Sequence, residues 1–184
     1  GTLAVTKILT PYWPGHEITG LVHAEEADKE IKSISSTAYG NALLLAISYA
    51  YMKMLGEKGL PYASIMAILN ANYMKSRLLE HYPILFLKDD TTHCAHEFII
   101  DLREFEKKGI KAIDISKRLQ DYGFHSPTLA FPVPGTLMVE PTESESLKEI
   151  DRFCDAMISI RKEIDWFLAG DERGQVLPNA PHTL

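Results

Sequence analysis

Cysteine is nearly absent from this 184-residue chain: Cys94 and Cys154 stand alone, with no CxxC pair between them. Two distant thiols cannot build a disulfide framework, and with no secretory signal visible the expectation is an intracellular, reducing compartment. Long apolar runs are missing too. The longest, from Ala42 to Met52, is interrupted by Ser48 and falls short of the roughly 20 residues that span a bilayer, so no transmembrane helix is expected. Nor is there an excess of positive charge. Lys and Arg total 19 against 25 Asp and Glu, a net charge of −6, which argues against a nucleic-acid partner.

What is present is a globular composition, 46% hydrophobic and 24% charged, enough for one substantial core. The opening segment, with Pro11, Pro14 and Gly15, reads as loop and lacks an initiator Met. An internal fragment of a longer protein fits it, as does a processed amino terminus. Residues 21–36 read as surface loop or short strand. From Ala42 to Leu55 apolar residues occupy nearly every side of a helical projection (Leu43, Leu44, Leu45, Ile47, Tyr51, Met54), predicting a buried helix stopped by a left-handed Gly56. Gly59 to Tyr82 predicts a second, amphipathic helix, with Pro61 in its first turn and Ile65, Ile68, Leu69, Asn72, Tyr73 and Leu79 at helical spacing.

After Pro83 the short apolar runs 84–87 and 97–102 predict strands. Residues 113–122 predict a short helix between Asp114 and Gly123, FHSPTLAFPVPG a Pro-rich loop, and 136–139 a strand. The last helix is predicted from Leu147, Ile150, Cys154, Met157 and Ile164, with Thr142 and Glu145 as its capping box. The tail from Asp171 reads as an extended end. Long helices with few short strands give an α+β fold, a small sheet backed by helices.

Four clusters could carry chemistry. His93, Cys94, His96 and Glu97 include metal-ligand types, but strand alternation would send them to opposite faces, so no metal site is expected. His125, in the FHSPT loop after a helix stop, is either a functional group or a solvent-facing residue of a shaped connection. The polar VEPTESES segment suits helix capping better than anion binding, since Glu143 and Glu145 already complement the helix dipole. SSTAYGN, residues 35–41, is either a phosphate cradle or an N-cap. No activated nucleophile is recognisable.

Several strings, AILNANYMKSRLLEHYPILF, AHEFIIDLR, SKRLQDYGFHSPT, FPVPGTLMVEPTESES and NAPH, together resemble the carboxyl-terminal part of the glycine dehydrogenase (decarboxylating) family, the P-proteins of the glycine cleavage system. The likeness runs from Ser36 to His182 and is weaker before it, so 1–35 is expected to be a connecting segment and 36–184 the small carboxyl-terminal domain of a fold-type I pyridoxal phosphate enzyme, its sheet short and mostly antiparallel. The resemblance implies decarboxylation of glycine with transfer of the aminomethyl group to the lipoyl arm of the H-protein. It further implies association with other glycine cleavage proteins, and a dimer or pseudo-dimer located in the bacterial cytoplasm or, in a eukaryote, the mitochondrial matrix, the cytoplasm being the expectation here. Neither a membrane nor nucleic acid is among the expected partners.

The family's His-Lys pair, which supplies the Schiff-base lysine, is absent from this sequence. The chain alone is therefore expected to be inactive. By resemblance, His125 is the candidate catalytic group, Ser36, Thr37, Gly40 and Asn41 the candidate cofactor-binding residues, and Thr136, Glu140 and Thr142 the candidate substrate-side residues. A stand-alone binding or regulatory module is the competing reading, and metal-dependent hydrolysis at His93, His96 and Glu97 a third.

Overall fold

A computed structural model of the chain describes residues 4–18, 29, 31–37, 39–89 and 91–182. It divides into two compact units, 1–56 and 57–184. Much of the expected loop or strand at 21–36 lies outside the described residues.

In the first unit a 3-10 helix, Lys7–Tyr12, precedes an isolated parallel bridge between Pro14 and Ile31. Helix α1, Leu43–Leu78, begins where the Asn41 side chain accepts a hydrogen bond from the Leu43 amide at 3.0 Å. It breaks at Gly56, whose φ of 65° matches the expected positive value but whose ψ of −169° is extended rather than left-handed helical. Only glycine adopts that pairing without strain.

The helix before Gly56 is not buried. Leu43, Leu44, Leu45, Ile47, Tyr51 and Met54 are all exposed, Met54 at 85%. Apolarity on all sides signals burial only if another layer is available, and the described residues of 1–56 supply none. Beyond Gly56 the expected stripe is exposed at Ile65, Ile68 and Leu69. Burial starts at Asn70 and runs through Ala71, Met74, Leu78 and Tyr82.

In the second unit four short strands form an antiparallel sheet in the order β1 (Ile84–Leu85), β2 (Phe98–Asp101), β4 (Thr136–Val139), β3 (Thr128–Leu129). Central β2 pairs with β4 from Phe98 opposite Val139 to Asp101 opposite Thr136. Phe98, Ile100, Leu137 and Val139 therefore share a face, and all four enter one core with α3 (Ala112–Asp121), α4 (Leu147–Leu168) and the lower part of α1. The α+β architecture is as expected. Strand β3, within the expected Pro-rich loop, and the one-turn helix α2 (Arg103–Glu106) were not expected, each being too short to show a period.

Helix α4 is capped one motif later than expected. The PTESESLKE segment holds two Ser/Thr-x-x-Glu frames, and the structure uses the second: Ser146 Oγ accepts from the Glu149 amide at 3.2 Å. Thr142 instead turns the chain with φ of 60°. Leu147 is consequently 62% exposed, while Ile150, Cys154, Met157, Ile160 and Ile164 form the buried stripe. The tail is not an extended end either. A 3-10 turn, Glu172–Val176, packs back on α4, Leu177 is fully buried, and a Cβ on Gly174 would collide with the Phe167 backbone.

Candidate functional site

Helix α3 ends in a paired cap: the Gly123 amide donates to Gln120 O at 2.9 Å and the Phe124 amide to Leu119 O at 3.0 Å, with Gly123 at φ of 78°. These are the bonds of a Schellman motif, and they turn the chain sharply into FHSPT. That loop runs directly into β3, which pairs with β4 through Thr128 opposite Met138 and Leu129 opposite Leu137. Antiparallel pairing places whatever precedes Thr128 beside whatever follows Met138. His125 thereby comes alongside Glu140, Pro141 and Thr142.

The result is a cleft of about 380 Å³. His125, Ser126 and Pro127 form one side; Glu140, Pro141 and Thr142 form another; Glu145 and Glu149 lie at the start of α4. Met74, Val139, Ile150 and Phe153 supply an apolar lining. Polar groups converging on an apolar concavity make the arrangement expected of a small-molecule site. His125 and Glu140 are exposed and Thr142 half-buried, so their polar atoms face the opening rather than the core.

Several residues fix this geometry. Buried Asn70 of α1 donates its side-chain amide to Thr142 O at 2.9 Å. Thr142 Oγ1 lies 3.0 Å from Ser144 Oγ, which holds the turn ahead of α4. Arg152 donates to both oxygens of Glu149, at 2.9 Å and 2.5 Å, and to Tyr122 O at 2.7 Å. The paired guanidinium keeps the Glu149 carboxyl below its ordinary range. None of Asn70, Glu149 and Arg152 stood out in the sequence, although an Asn among the apolar residues of ILNANY is the one signal that was available.

The candidate residues thus fall into three places. His125, Glu140 and Thr142 share the cleft. Thr136 does not reach it: fully buried on β4, it donates its hydroxyl to Val133 O at 2.6 Å and shapes the β3–β4 connection. Ser36, Thr37, Gly40 and Asn41 belong to the first unit. There Ser35 Oγ donates to Thr37 O at 2.7 Å, Ser36 O lies 3.3 Å from His16 Nε2, and Gly40 has φ of 77°. Asn41 caps α1. Thr37 lies at the rim of a separate cleft of about 430 Å³ lined by Leu9, Tyr12, Trp13 and Ile34.

His93, Cys94 and His96 precede β2 instead of lying on a strand, so alternation is not what separates them. Asn72 of α1 clamps the Cys94 backbone, accepting from its amide at 2.9 Å and donating to its carbonyl at 2.8 Å. His96 Nε2 stands 3.9 Å from both Glu97 Oε2 and Glu140 Oε1. Among the described residues no three His, Cys, Asp or Glu side chains converge as a metal site would require. Burial pushes the Cys154 thiol up to about 11 and raises that of Cys94 as well, so neither is an activated thiolate. No described helix is long and apolar enough to cross a membrane.

Residues 63–182 match the family described as "Glycine dehydrogenase, C-terminal domain". The chain is 54% identical over 187 residues to a mitochondrial glycine dehydrogenase (decarboxylating) from Solanum tuberosum, covering 99% of this chain and 18% of that protein. It is 55% identical over 184 residues to the glycine dehydrogenase (decarboxylating) of Flavobacterium johnsoniae, covering 100% of this chain and 19% of the relative. The mitochondrial protein of Pisum sativum is 54% identical, again with 99% of this chain and 18% of the relative covered. The chain spans less than a fifth of the curated relatives it matches.

Proposed function

The chain belongs to the glycine dehydrogenase C-terminal domain family, and on that premise we propose that it serves as the carboxyl-terminal domain of a fold-type I, pyridoxal phosphate-dependent glycine decarboxylase. The reaction would release CO2 from glycine and pass the aminomethyl group to the lipoyl arm of an H-protein. The compartment would follow the source, the mitochondrial matrix in a eukaryote and the cytoplasm in a bacterium. The observation that carries this reading is the convergence of His125, Glu140 and Thr142, from two separate family-like strings, on one cleft.

The donor set matches only part of the cofactor. Ser36 and Thr37 are exposed hydroxyl residues on a turn, chemically suited to a phosphate; Asn41 is already committed to capping α1. Gly40 would let the backbone approach closely. With no His-Lys pair in the chain, the covalent amine has to come from elsewhere in the enzyme, and the chain alone would not turn over glycine. The cofactor, when bound, supplies the electron sink for loss of CO2. This chain's own groups would orient substrate and handle protons at the cleft, with the His125 imidazole as the candidate acid or base.

Strand β4 carries no Arg. A bidentate guanidinium would hold a substrate carboxylate in ground and transition state alike, whereas a decarboxylase must let that group leave as neutral CO2. The apolar helix before Gly56 points the same way. Its exposed Leu43, Leu44, Ile47 and Met54 would be covered in the whole protein, since relatives carry more than four fifths of their length outside the matched region.

The test is glycine-dependent release of labelled CO2 by the full-length holoenzyme. His125→Asn should lower turnover by roughly 10²-fold or more, the usual size of a lost general acid or base. Wild-type turnover in that variant would remove His125 from the mechanism, and a full-length protein that does not decarboxylate glycine would end the reading.

A further inference from the structure

The loop that carries His125 has little packing of its own: Gly123 and His125 are exposed, and Ser126 and Pro127 only half-buried. Such a loop holds one geometry only if something outside it fixes its backbone. Two neighbouring side chains of α4, Arg152 and Phe153, reach it. Arg152 Nη1 donates to the Tyr122 carbonyl at 2.7 Å, just before the turn, and the guanidinium carbon lies 3.7 Å from the centre of the Phe124 ring, just after it. Between them lies Gly123, where a Cβ would stand in ordinary contact with Arg152 Nη1 at 3.7 Å.

The guanidinium is itself held in place. Its Nε and Nη2 are committed to the two oxygens of Glu149, one turn earlier on α4, and Glu149 lines the cleft. The Phe124 ring, pressed from above by Arg152, meets Phe153 edge to face at 5.2 Å and 84°. So α4 grips the residues on both sides of Gly123 by a hydrogen bond, a cation–π stack and an aromatic edge, and His125 follows directly.

We propose that Arg152 is the positioning residue for the His125 loop: it sets where the imidazole stands in the cleft, without touching substrate. The inference rests on the reading of His125 given above. Arg152 and Glu149 are 45% and 40% exposed, and ion pairs that open to water add little to global stability. The placement of the loop, rather than the fold, is what depends on this arginine. Lysine cannot substitute, because one ammonium cannot donate to Tyr122 O, bind both Glu149 oxygens and stack as a plane on Phe124.

Two measurements test it, on the variants Arg152→Gln, Arg152→Lys, His125→Asn and the Gln/Asn double variant. In hydrogen–deuterium exchange on the full chain, Arg152→Gln should speed exchange of the Gly123 and Phe124 amides, the two hydrogen-bonded to α3 carbonyls, by about tenfold or more, with β2, β4 and the centre of α4 unchanged. In the full-length holoenzyme Arg152→Gln and Arg152→Lys should each lower glycine turnover by about 10- to 100-fold, the cost of a misplaced group. The double variant should be no slower than His125→Asn alone. Unchanged exchange at Gly123 and Phe124, full activity of the Lys variant, or a double variant whose loss is the product of the single losses would each overturn the proposal. If His125→Asn alone leaves turnover intact, the reading of His125 fails, and the exchange measurement still decides whether Arg152 fixes the loop.

Discussion

Asn70 and Thr142, 72 positions apart, are joined by a hydrogen bond of 2.9 Å from the Asn70 side-chain amide to the Thr142 carbonyl. Asn70 is the first buried residue of α1, at 7% exposure, and Thr142 is the positive-φ residue that turns the chain from β4 toward α4. Here the core reaches directly to the wall of the cleft. Asn70→Ala should leave that carbonyl without its buried partner at a cost of about 1–3 kcal/mol, read as a lower urea midpoint of the full chain. Amide exchange at 142–145 should rise at the same time. A stability loss with no change at those amides would mean that Asn70 only fills space.

A second buried polar contact ties α3 to α4. Arg118 donates from Nε and Nη2 to the two oxygens of Glu163 at 3.0 and 2.8 Å, and Tyr122 donates its hydroxyl to Glu163 at 2.9 Å. Glu163 is 5% exposed, so Arg118→Met would leave a carboxylate in the interior with only a phenol beside it. That variant should lose about 3–5 kcal/mol in urea unfolding, while Arg118→Met with Glu163→Met should recover most of it. Equal losses in the single and double variants would show that the arginine acts by packing.

The docked tail offers a steric test. The glycine at position 174 lies against the backbone of Phe167, where even a methyl group finds no room. Gly174→Ala should therefore lift the 3-10 turn off α4 and expose Leu177, at a cost of about 1–3 kcal/mol for an overpacked site. Limited proteolysis should cut the variant after α4 and spare the parent chain. Equal resistance of the two would mean that the turn repacks in place.

How much of this was legible in the sequence depends on what each feature needs. Strand β4 and the helix 112–121 appeared within a residue or two because their apolar spacing is local, and Gly123 marked a true boundary; Pro83 marks the start of β1, but the helix expected to reach Tyr82 ends at Leu78. The helix over 43–55 was read correctly as helix but wrongly as buried, because composition reports that a surface wants covering and not whether this chain covers it. Ser146 displaced Thr142 as cap because both frames satisfy the motif and only the onset of the buried stripe at Ile150 decides between them. The tail was misread because PNAPH has no period, and its docking depends on Gly174 meeting Phe167. In the cleft, His125 and the 140–142 segment were visible as polar residues in marked loops. Arg152 was not, since on an exposed helix face it reads like any solvated arginine until Phe124 and Tyr122 are placed beneath it.

The tail's last contact makes a prediction about acid. Asp121 accepts from the His182 backbone amide at 2.7 Å, lies 2.6 Å from His182 Nδ1, and takes a further bond from Arg118 at 2.9 Å. Burial works to raise the Asp121 carboxyl, but the bonds from His182 and Arg118 outweigh it and hold the folded value below the ordinary 3.8. A carboxylate depressed by folding binds fewer protons in the native state, so its stabilisation is complete above its unfolded pKa and disappears as pH falls through the folded one. Asp171, paired with Arg173 and pulled down to about 2, behaves the same way, so the tail's contribution should fade below about pH 4. His182→Ala removes the ring contact with Asp121 and keeps Arg118. Between pH 6 and 2 its unfolding free energy should therefore fall less steeply than that of the parent chain, the two curves converging at the acid end. Parallel curves across that range would show that His182 does not hold Asp121 ionised.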